Sequence, residues 1–213
     1  MDLYFYWINL DKDVDRRKYM DSLFSEHNIK NIRIPAILGG PTKTEKEVAC
    51  TQSHIKAIKT FLETPNDEFA IICEDDLSFD YKPYWKKSLQ DIINDAPKDW
   101  EIIQLGLICN VLDGDFYNVK TDYISHKLRK YWSTICYVIN RKSAEKIINV
   151  KVDPHNKIYV ADELLYSSVK TYTYKYPMFT YRDNNDSNIH PDHLKIHIKS
   201  KEMIKNYLKK MNF

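Results

Sequence analysis

No CxxC pair occurs among the four cysteines, Cys50, Cys73, Cys109 and Cys136. Three of them lie inside apolar patterns, which favours buried free thiols in a reducing compartment over a disulfide framework or a zinc site. An excess of one charge is missing too. The 32 Lys and Arg nearly cancel the 30 Asp and Glu, leaving +2, and no basic stripe stands out beyond short runs such as His126 to Lys130. No nucleic-acid partner is therefore expected. Long hydrophobic runs are absent as well. Leu3 to Leu10 stops at Asp11-Lys12-Asp13, too short for a membrane span and without a basic leader, so no signal peptide or transmembrane segment is expected and the expected location is cytoplasmic. Glycine falls to 4 while tyrosine reaches 16. That bias, with abundant Lys, Asn and Ile, speaks of an AT-rich coding sequence and not of function. There is no internal repeat.

What is present is an alternation of strand and helix patterns. Leu3 to Leu10 reads as a first strand, and Asp13 can cap a helix with Met20, Leu23, Phe24 and His27 recurring along it. Asn31 to Ile37 is a second strand, closed by the turn pair Gly39-Gly40. Thr44-Glu45-Lys46-Glu47 reads as a capping box opening a helix with Val48, Thr51, Ile55, Ile58 and Leu62 on one face. The strand Phe69 to Cys73 follows, then a helix from Pro83 carrying Trp85, Leu89 and Ile92, and a strand from Trp100 to Gly106. Four such alternations predict a mostly parallel sheet with helices on its faces.

From Leu107 to Lys130 the pattern dissolves, and a functional loop or flap is expected. Beyond it come a strand at Ile135 to Ile139, short helices around Ala144 to Ile148 and Glu163 to Val169, and a strand at Tyr172 to Tyr176. A final helix is expected to be capped by Ser200, with Ile204, Tyr207, Leu208 and Met211 inward.

The stretch FAIICEDDLSFD raises the chemical question. Five apolar residues run straight into Glu74-Asp75-Asp76. Adjacent carboxylates repel one another and resist burial unless something positive is near. A solvated acidic turn is one reading. The other is a ligand site beyond a strand's carboxyl end, where hard oxygens suit Mg²⁺ or Mn²⁺ and a nearby Arg16-Arg17 pair suits a diphosphate.

Several further motifs fall in order along nearly the whole chain. Ile8-Asn9-Leu10 with Arg16-Arg17, Ala49 to His54, Ile72 to Asp76, Trp100 to Gly106, Tyr137 to Ile139 with Ser143-Ala144, Val160 to Asp162 and Ser187 to Ile189 form the set. Together they resemble glycosyltransferase family 25, which includes bacterial lipooligosaccharide β-galactosyltransferases and collagen hydroxylysine galactosyltransferases. Ala49 and Ser143 stand where that family often has glycine.

The resemblance implies a GT-A fold: a Rossmann-like, mostly parallel α/β sheet with helices on both faces. It implies one domain over residues 1–213, with a nucleotide-sugar half (1–106) and an acceptor half (107–213). The implied reaction is metal-dependent, inverting transfer of galactose or glucose from a UDP-sugar to a glycan or protein hydroxyl. A fold-sharing binding module without turnover is the alternative, and a homodimer is left open. A metal-dependent nuclease or phosphotransferase would need a catalytic lysine on a paired strand, which is not found.

On this resemblance Asp76 is the expected ligand of Mn²⁺ (or Mg²⁺), with Asp75 and His190 joining it. Asn9, Leu10, Arg16, Ala36, Glu74 and Asp75 are expected along the nucleotide sugar. Ser53 and His54 are assigned to that pocket as well, by contact or by supporting the acidic turn. Asp162 is the expected general base, with Glu163 in reserve, and an N-cap is the structural alternative for Asp162. Trp132 and nearby tyrosines are candidates for stacking on a sugar.

Overall fold

Side-chain alternation along the strands builds two cores, one on each face of a central sheet. The computed structural model describes residues 3–64, 67–112, 114–156, 158–182, 189 and 193–211. The sheet strands are β1 (Phe5–Asn9), β2 (Asn31–Pro35), β3 (Phe69–Glu74), β5 (Ile102–Gln104), β6 (Tyr123–Ser125), β7 (Cys136–Asn140) and β8 (Thr171–Tyr174). They lie in the order β2-β1-β3-β7-β5-β8-β6. Only β7 and β6 run against the others, so the sheet is mostly parallel, as expected.

Phe5, Trp7, Ile71, Cys73, Ile103 and Val138 point to one face, where Met20 and Phe24 of α1 (Val14–Glu26) and Ile92 and Ile93 of α3 (Leu89–Asn94) cover them. Their neighbours Tyr6, Ile8, Ala70, Ile72, Ile102, Tyr137 and Ile139 meet α2 (Lys43–Leu62), α5 (Arg141–Ile147) and α6 (Ala161–Ser168) on the other. Each large side chain buried completely contributes about 1.5–3 kcal/mol. With helices on both faces, only the strand ends remain open for chemistry.

Several local expectations need correction. The capping box is Thr42 with Glu45, not Thr44 to Glu47: the Glu45 N–H donates to Thr42 Oγ1 at 3.3 Å and the Thr42 N–H to Glu45 Oε2 at 2.9 Å. Asp13 occupies the N-cap of α1 without a side-chain cap bond. Pro83 belongs to a short 3₁₀ turn, Lys82–Tyr84, and α3 starts only after Ser88, which forms its own capping box with Asp91. Ser200 is not a cap. It lies fully buried inside α7 (Leu194–Met211), where its Oγ accepts the Cys109 N–H at 3.0 Å.

The stretch from Leu107 to Lys130 is not a flap. It carries α4 (Gly114–Asn118) and the edge strand β6, and Leu107, Cys109, Leu112, Phe116 and Ile124 pack with Ile204, Tyr207 and Leu208 of α7 into a third core. A small second sheet pairs β4 (Leu77–Ser78) with β9 (Thr180–Tyr181). It ties the chain after the acidic turn to the approach of α7. All four cysteines are free thiols, and three are buried. No described helix is long and apolar enough to cross a membrane.

Candidate active site

The carboxyl ends of the parallel strands β1, β3 and β5 share one edge of the sheet with the start of the antiparallel β7. A cleft of about 590 Å³ opens there. It is lined by Glu74 and Asp76 after β3, Trp132 to Ile135 before β7, Asp162 and Glu163 in the first turn of α6, and Tyr181, His193 and His197 near α7.

The three consecutive acids meet three different environments. Glu74 accepts a hydrogen bond from Thr134 Oγ1 at 2.7 Å, and the same oxygen faces His54 Nε2 at 3.7 Å. Burial alone would raise its pKa. The His54 imidazole, Thr134 and the Arg16 charge outweigh burial and hold it below the usual carboxylate range.

Asp75 is turned into the protein. Asn9 Nδ2 donates to its Oδ2 at 2.7 Å, and Arg16 pairs with its Oδ1. Here burial wins over Arg16 and Asn9, and the pKa of Asp75 is raised. The second arm of the Arg16 fork reaches Asp76 Oδ2 at 3.3 Å. Behind them Arg33 Nε donates to Asn9 Oδ1 at 2.9 Å, which fixes the Asn9 amide with its NH₂ toward Asp75. The repulsion implicit in the sequence is thus relieved by arginines alternating with acids from β2 to the cleft.

Across the cleft, Asp162 Oδ2 accepts the Ser133 N–H at 3.0 Å and Oδ1 accepts the Glu163 N–H at 2.8 Å. Burial raises its pKa, overriding these two bonds, and the Glu163 and Glu74 charges add to the rise. The N-cap alternative is excluded, because the N-cap of α6 is Val160. Glu163 lines the cleft but is half exposed and pairs with Lys130 at 3.2 Å.

Ser133 can present its N–H because its backbone is strained, at φ 95°, a left-handed conformation unusual for a residue with a Cβ. The fully buried Gln104 holds it there. The Gln104 Nε2 amide faces the carbonyls of Tyr131, Trp132 and Ser133 at 3.3, 3.0 and 3.0 Å, while Oε1 accepts from Thr173 Oγ1 at 2.7 Å. Tyr166 OH donates to the Ser133 carbonyl at 2.9 Å as well.

Of the residues singled out from sequence, Glu74, Asp76, Asp162 and Glu163 come together in the cleft, while Asn9, Arg16 and Asp75 form the clasp beside it. Leu10 and Ala36 follow the ends of β1 and β2 and do not line the cleft. Ser53 and His54 are buried and do not line the cleft. Ser53 Oγ accepts the Ile37 N–H at 2.8 Å and donates to the Ala49 carbonyl at 2.7 Å. His54 Nδ1 sits 3.2 Å from the Tyr137 hydroxyl and its other nitrogen faces Glu74, which is the supporting role.

His190 lies outside the described residues. Among the described residues no three His, Cys, Asp or Glu side chains converge on a metal position. A hard divalent ion needs only one or two carboxylates when phosphate and water oxygens complete its shell. Asp76 on the cleft fits that use, whereas Asp75 is taken up by Asn9 and Arg16.

Sequence reasoning missed Arg33, Gln104, Ser133 and Thr134. Gln104 carried a signal: a polar side chain in an otherwise apolar strand needs buried partners.

The sequence profile of glycosyltransferase family 25 (LPS biosynthesis protein) matches residues 40–165. A glycosyltransferase 25 family member of Drosophila melanogaster is 26% identical over 186 residues, covering 75% of this chain and 29% of that protein. One from Aedes aegypti is 24% identical over 186 residues, covering 75% and 30%. Procollagen galactosyltransferase 2 of Homo sapiens is 27% identical over 138 residues, covering 57% and 19%. The chain spans less than a third of the length of these relatives. A crystal structure of a glycosyltransferase involved in glycosylation of the major capsid of PBCV-1 is 10% identical with a TM-score of 0.40, over 68% of this chain and 63% of that one.

Proposed function

The chain belongs to glycosyltransferase family 25, and on that premise we propose that it transfers galactose or glucose from a UDP-sugar to a hydroxyl of a glycan or protein, inverting the anomeric carbon. The observation that carries the reading is the meeting of Asp162 with Glu74 and Asp76 in one cleft at the carboxyl edge of the sheet, where open α/β sheets bind ligands.

Asp162 is the general base in this reading. Its raised pKa strengthens it as a proton acceptor, and two backbone N–H groups fix its carboxylate toward an incoming hydroxyl. Asp75, itself held by Asn9, takes one arm of the Arg16 fork, and the arm that now reaches Asp76 is the donor offered to the diphosphate. Leu10 and Ala36, at the ends of neighbouring strands and outside the cleft, would flank the nucleoside only where it extends past Asn9. Glu74, braced by His54 and Thr134, keeps the acidic turn rigid. Asp76, with phosphate and water oxygens, would hold Mn²⁺ or Mg²⁺. When bound, that ion offsets the charge growing on the departing diphosphate. Residues 1–106 then serve the donor and 107–213 the acceptor.

The test is a screen of UDP-galactose, UDP-glucose, UDP-N-acetylglucosamine and GDP-sugars for nucleotide release and thermal stabilisation, with Mn²⁺ or Mg²⁺ present. Release of UDP from one UDP-hexose is expected. The absence of both release and stabilisation with every one of these donors would overturn the assignment.

A further inference from the structure

Beside the cleft lies a smaller hollow of about 140 Å³, bounded by Ile108, Asn110, Arg129 and Trp132 among others. Ile108, Asn110 and Trp132 also line the main cleft, so the two spaces share one wall. That wall is a β-bridge: the Ile108 N–H donates to the Trp132 carbonyl at 3.0 Å and the Trp132 N–H to the Ile108 carbonyl at 3.3 Å. With Gln104 gripping the carbonyls of Tyr131 to Ser133, the backbone here is held from both sides. Yet the Trp132 side chain is 53% exposed, while Tyr131 next to it is buried.

A large exposed aromatic ring between two hollows, carried on a backbone fixed from both sides, has the makings of a binding platform, since the loop that carries it has little ordering entropy left to lose. The polar groups around it are hydrogen-bonding ones. Asn110 and Arg129 line the hollow, and Lys130 is held by Glu163 Oε1 at 3.2 Å and Ser167 Oγ at 3.0 Å. An aromatic face for ring C–H groups, flanked by amide and cationic donors for hydroxyls, is the chemistry that recognises a sugar. The hollow is well below the roughly 300 Å³ of a drug-sized site, so it takes one ring.

Resting on the transferase reading above, we infer that this hollow is an acceptor subsite for the sugar ring preceding the one that is glycosylated. The acceptor is therefore an oligosaccharide of at least two rings. A ring against Trp132 leaves its neighbour in the main cleft, where the next residue, Ser133, holds Asp162.

The experiment compares methyl β-galactoside, methyl β-lactoside and a hydroxylysine-containing peptide as acceptors. The wild type is expected to favour the disaccharide over the monosaccharide in kcat/KM by about tenfold or more. In Trp132→Ala that ratio should collapse toward unity through KM, whatever the absolute rates, and Trp132→Phe should restore part of it. Equal use of mono- and disaccharide by the wild type, an unchanged ratio in Trp132→Ala, or preference for the peptide overturns the proposal. Binding of methyl β-lactoside to the donor-free protein, followed by tryptophan fluorescence in wild type and Trp132→Ala, tests the hollow without any donor chemistry. Lactoside binding with no UDP-sugar turnover would count against the donor assignment alone. Absence of lactoside binding, with donor turnover intact, would count against the subsite alone.

Discussion

The Ser133 N–H donates to Asp162 Oδ2 at 3.0 Å, joining a strained loop before β7 to the first turn of α6. An asparagine here can keep the position with its carbonyl accepting the Ser133 N–H, while its NH₂ gives up the bond that Oδ1 accepts from the Glu163 N–H.

Asp162→Asn should therefore fold and bind UDP like the wild type, while transfer falls by roughly 10²–10⁴-fold, the usual size of a general-base contribution. Transfer at close to the wild-type rate would remove Asp162 from the mechanism and pass the role to Glu163.

The same substitution carries a pH signature. Burial raises the Asp162 pKa above its unfolded value, so its favourable contribution is complete below the unfolded pKa and is lost as pH rises through the folded one. Asparagine does not titrate. The melting temperature of Asp162→Asn should gain on that of the wild type as pH climbs from about 4 toward neutrality. A gap that stays constant across that window would contradict the burial of this charge.

Arg16 is shared between Asp75 and Asp76, and the Asp75 side chain is only 7% exposed. Arg16→Met leaves a buried carboxylate with Asn9 as its remaining named partner, and should cost about 3–5 kcal/mol at neutral pH. The loss should shrink in acid, where Asp75 takes up a proton. Urea unfolding at two pH values measures both effects.

Calorimetry of UDP binding tests Asp76. In the wild type Mn²⁺ should tighten UDP, because the two would share phosphate oxygens. In Asp76→Ala the two affinities should converge. Equal affinities in the wild type would contradict a bridging ion.

Gly106 follows β5 at a point of close approach. A Cβ there would lie 2.5 Å from Ile135 Cγ2 and 2.9 Å from the Phe179 carbonyl oxygen. The Phe179 carbonyl is backbone and cannot yield, and Ile135 Cγ2 sits on a buried β-branched side chain with little room to move. Gly106→Ala should lose about 1–3 kcal/mol, and Ile135→Ala in the same chain should recover only part of it.

The sheet was legible because its strands are short apolar runs whose chemistry is local, and Phe69 to Cys73 stopping at three acids marked the functional edge without any tertiary information. The third core was not, because Leu107, Cys109, Leu112 and Phe116 follow no period. They are organised by Ile204, Tyr207 and Leu208, far along the chain. Capping boxes were hard to place to the residue, since Thr42 and Thr44 both precede a glutamate by three positions. The acids on the cleft could be named, but their separate environments could not. Which of Glu74, Asp75 and Asp76 meets His54, Asn9 or the open cleft depends on how strands register.

Trp132, Ser133 and Thr134 are consecutive, yet the first walls the acceptor hollow, the second holds Asp162 and the third holds Glu74. Point substitutions can alter these duties one at a time, but a change in the length of the segment cannot. An insertion or deletion among them would shift recognition, base and acidic turn together. Lineages that diversify in acceptor are expected to leave this tripeptide fixed in length and backbone, and to vary across the bridge instead, around Asn110 and Val111, where side chains are exposed and no catalytic group hangs on the backbone.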